Sequence, residues 1–153
     1  MERLDSRIRL VWILTAVLSA FAVGSLAALL NRRILEIGSW LAPVVFGSAV
    51  VVGTVYALVR FRMWGFDLRD DSLYVHRGVF RTVQTVAPYV RVQHVDSQRG
   101  PLERSVGLAT VVVYTAGSRG ADITIPGLTP ERAEDVQAQL RALAIESEGA
   151  DAV

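Results

Sequence analysis

Residues 93–97 read QHVDS, which places His94, Asp96 and Ser97 within four positions. Hydrolases build a base, an orienting acid and a nucleophile from these three side-chain types. The chemistry needs the base within hydrogen-bond reach of the nucleophile, with the acid on the far side of the base. On a plain strand His94 and Asp96 share one face and Ser97 takes the other. One strand therefore cannot supply the geometry. The G-x-S-x-G turn that presents a nucleophilic serine is also absent from the chain. The segment is read as a polar strand edge, and a membrane-bound hydrolase using His94 is the least favoured function. His76, the other histidine, is read as a solvent-facing strand residue.

The composition removes further chemistry. There is no cysteine, so disulfides and thiolate metal sites are excluded. Two separate histidines do not make a zinc site without several carboxylates. All 16 basic residues are arginine, so no lysine can form a Schiff base. The net charge of +1 gives no global field to attract nucleic acid. No catalytic, cofactor-binding or metal-binding residue is expected, and no cofactor.

The elements that position these residues fall into two textures. Leu10–Leu30 is an uncharged run of 21 residues, about 31 Å as a helix and enough to cross a bilayer core. A second uncharged run covers Ile37–Val59, with Pro43 in its first third, which membrane helices tolerate with or without a kink. The reading is a two-helix transmembrane hairpin over residues 1–60, with spans at about 10–30 and 37–59 and a short loop at Asn31–Glu36. Arg3, Arg7 and Arg9 precede the first run and Arg60, Arg62 and Arg69 follow the second, against Arg32 and Arg33 in the loop. That asymmetry puts both termini in the cytoplasm. Trp12, Trp40, Tyr56 and Trp64 fall near the expected interfaces. Ala16, Ala20, Gly24 and Ala28 recur every four residues in the first span, as do Ala49, Gly53 and Ala57 in the second. Small side chains let helix backbones approach closely, so both strips are candidate packing seams, within the hairpin or between protomers.

From Trp64 the pattern changes to short alternating segments bounded by turn residues, the mark of antiparallel hairpins. Strands are expected at about 64–69, 73–77, 80–87, 89–98, 108–116 and 121–126, with a break at RGPLERSVG. The alternation slips near Gln93–His94, which a β-bulge explains most simply and a strand bending across a barrel corner also explains. The segment GSRG is read as a turn. A helix follows, with Thr129 as N-cap and Pro130 at its first position. Ala133, Val136, Leu140, Leu143 and Ala144 form its apolar stripe. Residues 61–146 are thus one mainly β, α+β domain of six to seven strands, and 147–153 a flexible tail.

The stretch APYVRVQHVDSQRGPLERSVGLATVVVYTAG resembles the signature of bacterial pleckstrin-homology-like membrane proteins, the YdbS-like group of a family of unknown function. GFDLRDDSLYVHRGVF and ITIPGLTPERAEDVQAQL resemble that family's first hairpin and its closing strand and helix. The resemblance covers Trp64 to about Ile145. It implies a PH-like fold, a curved antiparallel sheet capped by a C-terminal helix, and no enzyme activity. It further implies a partner, a larger membrane protein carrying several such domains, in envelope maintenance or stress defence.

The expected function is a non-enzymatic, multi-pass membrane protein that presents an interaction domain at the cytoplasmic face. Membrane lipids, that larger protein and a second copy of the chain are the partners considered. The alternative is a module that binds or senses lipid headgroups, which PH domains do around the first hairpin loop; here Asp70 and Asp71 in that loop would repel an anion. Arg99, Leu102, Glu103 and Arg104 form the candidate interaction surface, with a structural connector as the competing reading.

Overall fold

The computed structural model describes residues 1–35, 37–116 and 122–151. The chain divides into two compact units, Arg9–Arg62 and a second made of Met1–Ile8 with everything from Met63 onward. The expected turn at GSRG lies outside the described residues.

The helical unit holds α1 (Ile8–Leu30) and α2 (Leu41–Arg62). Helix α1 runs on through a π-helical turn, Asn31–Leu35, where a loop was expected. Asn31 organises the reversal: its side-chain amide donates to the Gly38 carbonyl at 2.8 Å, and its Oδ1 accepts from the Ile37 N–H at 3.0 Å. The second helix starts at Leu41, four residues later than the uncharged run. Pro43 therefore stands in the first turn, where a missing N–H has no intrahelical partner to lose. The apolar stretches Ile8–Ile34 and Leu41–Arg62, 27 and 22 residues, are long enough to cross a bilayer. Leu14, Leu18, Leu26, Val51, Val52 and Val55 point outward from them. In water that surface would be a large unfavourable exposure; lipid is its natural solvent.

Among the described residues the globular unit has six strands in two three-stranded antiparallel sheets. The first is β1 (Gly65–Leu68), β2 (Ser72–Arg77) and β3 (Val83–Pro88); the second is β4 (Val92–Gln98), β5 (Ala109–Thr115) and β6 (Ile123–Leu128). In the first sheet Gly65 pairs with His76, and Arg77 with Val83. One end of that sheet therefore carries the start of β1 and the β2–β3 turn; the other carries the β1–β2 loop. A 3-10 turn, Tyr89–Arg91, separates β3 from β4 where a longer fourth strand was expected. The β4–β5 register breaks between Val92 and His94, where the alternation slips in the sequence. A second irregularity, on β6 around Pro126 and Gly127, lies opposite Ala109–Val111.

Between β4 and β5 a short helix, α3 (Pro101–Ser105), fills the expected break. Helix α4 (Pro130–Asp151) closes the unit. Thr129 caps it, its hydroxyl accepting from the Arg132 N–H at 3.3 Å. Ala133, Val136 and Leu140 are fully buried with Val95, Val111, Val113 and Ile125, so the apolar stripe and the strand faces share one core. The helix continues to Asp151, through the first five residues of the expected flexible tail; Ser147 bonds back to the Ala144 carbonyl at 2.8 Å.

Candidate interaction surface

On β4, His94 Nε2 lies 2.7 Å from Asp96 Oδ1, and the imidazole tilts over Tyr114 of β5 at 5.9 Å. The two side chains share a face as expected, and both are substantially exposed. Ser97 follows on the opposite face. The two make an exposed polar contact along one strand, with Ser97 turned away from it. Among the described residues no group of three His, Cys, Asp or Glu side chains could hold a metal ion. His76 differs from expectation. It is half-buried on β2, and its Nδ1 is shielded from solvent without a hydrogen-bond partner.

The segment 99–108 is more ordered than a loop. Glu103 ties it together. Its Oε2 accepts from the Gly100 N–H at 2.9 Å, closing the N-terminus of α3, and its Oε1 accepts from the Thr110 hydroxyl on β5 at 2.5 Å. Its own carbonyl accepts from the Leu108 N–H at 2.8 Å. Arg99 donates to the Leu108 carbonyl at 3.4 Å. Leu102 is half-buried, while Arg104 is exposed. Of the four candidates, Glu103 is half-buried and turned into the segment, Arg99 is exposed with its Nε tied back to the Leu108 carbonyl, and Arg104 is exposed.

In the helical unit the small residues stand as follows. A Cβ on Gly53 would lie 2.8 Å from the Ala16 Cβ, and one on Gly24 would lie 3.0 Å from the Phe46 Cβ. Residue 16 facing 53 and residue 24 facing 46 makes the pair antiparallel. Ala20 and Ala57 are buried, Ala49 is half-buried, and Ala28 is exposed and borders an apolar cleft with Phe21, Ala42 and Phe46. Cations cover aromatic rings at one end of the pair, Arg60 over Trp12 at 4.2 Å and Arg9 over Phe61 at 4.9 Å.

Sequence reasoning did not anticipate the role of Met1–Ile8, which was assigned to the membrane hairpin. It forms a strap on the globular unit. Glu2 exchanges backbone hydrogen bonds with Phe66 at 2.7 and 3.0 Å, extending the edge of β1. The Glu2 carboxylate takes two bonds from Arg132 of α4, at 2.7 and 2.6 Å. The Asp5 N–H donates to the Gly127 carbonyl at 2.8 Å. Leu4 and Ile8 are buried, and Ile8 packs where Gly127 has φ +66° and no Cβ; an added one would lie 2.8 Å from Ile8. Hydrogen bonds from Arg7 hold the Asp5 carboxyl below the usual carboxylate range. The sequence signal was the spacing of Leu4 and Ile8 ahead of the uncharged run, with charges between them.

At the β1–β2 loop Tyr89 is fully buried and donates from its hydroxyl to the Arg69 carbonyl at 2.7 Å. Burial pushes its phenol up, and the nearby Asp71, Asp70 and Asp67 carboxylates push it further. That end of the sheet is electrostatically negative, with Arg69 paired to Asp67 at 3.4 Å and laid over the Tyr74 ring.

Against known proteins, residues 9–144 match the family model described as a bacterial PH domain. The chain is 30% identical over 110 residues to the UPF0699 transmembrane protein YdbS of Bacillus subtilis (strain 168), across 69% of this chain and 67% of that protein. No solved structure gives a significant match.

Proposed function

Because this chain belongs to the bacterial PH-domain family and is a YdbS-like membrane protein, we propose that it is a non-enzymatic tether. Its two apolar helices hold the PH-like domain at the cytoplasmic face, where the domain docks a protein partner in a membrane complex. The observation that carries this reading is the strap. Met1–Ile8 and the chain from Met63 onward form a single unit, so both ends of an antiparallel helical pair return to one folded domain. A membrane crossed twice puts that domain on one side only. The arginines flanking the runs favour the cytoplasmic side.

Headgroup binding at the β1–β2 loop has less support. Asp67, Asp70 and Asp71 cluster there, and they already raise the Tyr89 phenol. The exposed His94–Asp96 contact leaves Ser97 on the other strand face and lends no support to turnover by His94.

Labelling of single cysteines in whole cells with an impermeant thiol reagent tests the arrangement. The native chain has none to interfere. Ser39→Cys is the better outer reporter, since Gly38 sits at φ +144° and an added Cβ there would meet Trp40 at 2.8 Å. Labelling at Ser39→Cys but not at Asp70→Cys is expected. Labelling at Asp70→Cys with Ser39→Cys protected would reverse the orientation; labelling at both would remove the tether.

A further inference from the structure

We propose that the β2–β3 turn, Gly78–Thr82, is where the domain enters the anionic leaflet, with Phe80 among the acyl chains and Arg77 and Arg81 on lipid phosphates. This rests on the reading of α1 and α2 as membrane spans. Phe80 is 95% exposed, more than any other large apolar side chain among the described residues. The turn that carries it is tightly built. Gly78 has φ +121°, and a Cβ there would lie 1.9 Å from the Arg81 carbonyl oxygen, so only glycine closes it.

Chain connection fixes which end of the sheet this is. Gly65 opens β1 three residues after Arg62, the last residue of α2, and pairs with His76 beside the turn. Three residues reach at most about 11 Å. The turn thus lies at the sheet end to which the chain returns from the apolar run. Charge agrees with this. Arg77 and Arg81 are exposed at the turn, while the Asp67, Asp70 and Asp71 cluster lies at the opposite end. The acid nearest the turn in register, Glu2, is bound to Arg132. An anionic surface therefore attracts the turn and repels the far loop. Planar guanidinium groups suit phosphate oxygens, and an aromatic ring suits the interfacial zone beside them.

The size of the feature selects a bilayer over a protein. One phenylalanine buries about 150–250 Å², whereas a stable protein interface buries roughly 1,200–2,000 Å². A ring with two flanking cations is small for a protein interface and sufficient for an anchor on a domain already tethered by its chain.

The test uses the full chain in vesicles of phosphatidylcholine alone or mixed with phosphatidylglycerol. An environment-sensitive fluorophore is placed, one site at a time, on Phe80→Cys, on Asp70→Cys and on Leu18→Cys in α1. With phosphatidylglycerol present, the label at position 80 should shift to the blue and be quenched by lipids brominated on the acyl chain. Arg77→Glu with Arg81→Glu in the same labelled chain should return it to the emission seen in water, and the label at 70 should stay there throughout. Water-like emission at 80 in both lipids, with bromine quenching at 18 intact, overturns the turn proposal and leaves the tether standing. Loss of quenching at 18 as well overturns both. A blue shift at 80 that ignores bromine and fades as the protein is diluted in lipid identifies a second copy as the occupant and overturns the lipid assignment.

Discussion

Tyr89 shows how one side chain couples the sheet to its loop. Its folded-state pKa lies above the unfolded value of about 10, chiefly through burial. The unfolded chain therefore gives up the phenolic proton first, and stability falls as pH rises past that value toward the folded one. Tyr89→Phe should cost about 0.5–1.5 kcal/mol at neutral pH, the usual worth of a hydrogen bond, and remove this alkaline loss. Denaturant titrations at neutral and alkaline pH would show both. Glu103 is the second residue of this kind. Glu103→Ala leaves the Gly100 N–H and the Thr110 hydroxyl without their acceptor and should cost about 1–3 kcal/mol. Arg104→Glu should leave stability nearly unchanged, because Arg104 is exposed; a drop in co-purifying partner with an unchanged melting temperature would mark docking through it. The chemistry of these residues was unevenly legible. The shared face of His94 and Asp96 follows from strand parity alone. The two bonds of Glu103 do not, since Thr110 lies seven residues away on another element. The Pro101 and Glu103 spacing, a helix-start signal, was the clue to α3.

At the scale of elements, the small-residue strips make a sharp prediction. Gly53→Val forces side-chain atoms into the space held by Ala16 and should destabilise the helical pair by about 1–3 kcal/mol. Gly47→Ala adds a methyl with nothing within 4 Å and should be neutral. Unfolding in mixed micelles with increasing sodium dodecyl sulfate separates the two. The strands, the slip near His94 and the capped α4 were legible because periodicity and caps are local. The start of α2 was not. Hydropathy counts Ile37 and Trp40 as part of a span, whereas the side chain of Asn31 draws the backbone at 37 and 38 into the reversal. The 3-10 turn at Tyr89–Arg91 was hidden for a related reason: Tyr89 and Val90 read as strand residues, but the Tyr89 N–H is taken by the Asp71 carbonyl.

For the whole molecule, the decisive feature is the strap. Fully burying Leu4 and Ile8 is worth about 1.5–3 kcal/mol each. The Glu2–Arg132 pair, partly open to solvent, contributes about 1 kcal/mol at most, even with two-point geometry. Apolar contact therefore holds the strap, and the ion pair sets its register. Leu4→Ala should lower stability by about 2–5 kcal/mol and Glu2→Gln by no more than about 1 kcal/mol, as thermal melts of the full chain in detergent would show. This arrangement was invisible to a linear reading, because Glu2 and Arg132 stand 130 positions apart. That separation also dictates a timetable. Ribosomes add roughly 5–20 residues each second, so Glu2 waits on the order of ten seconds for Arg132 to be made. Throughout that wait the core that Leu4 and Ile8 enter is without α4, and the Glu2 carboxylate is without its guanidinium partner. Closure is a late, long-range event of the kind that slows folding. A chain that stalls before α4 presents its apolar strap beside an unfinished core, which is a marker a quality-control protease or chaperone can read.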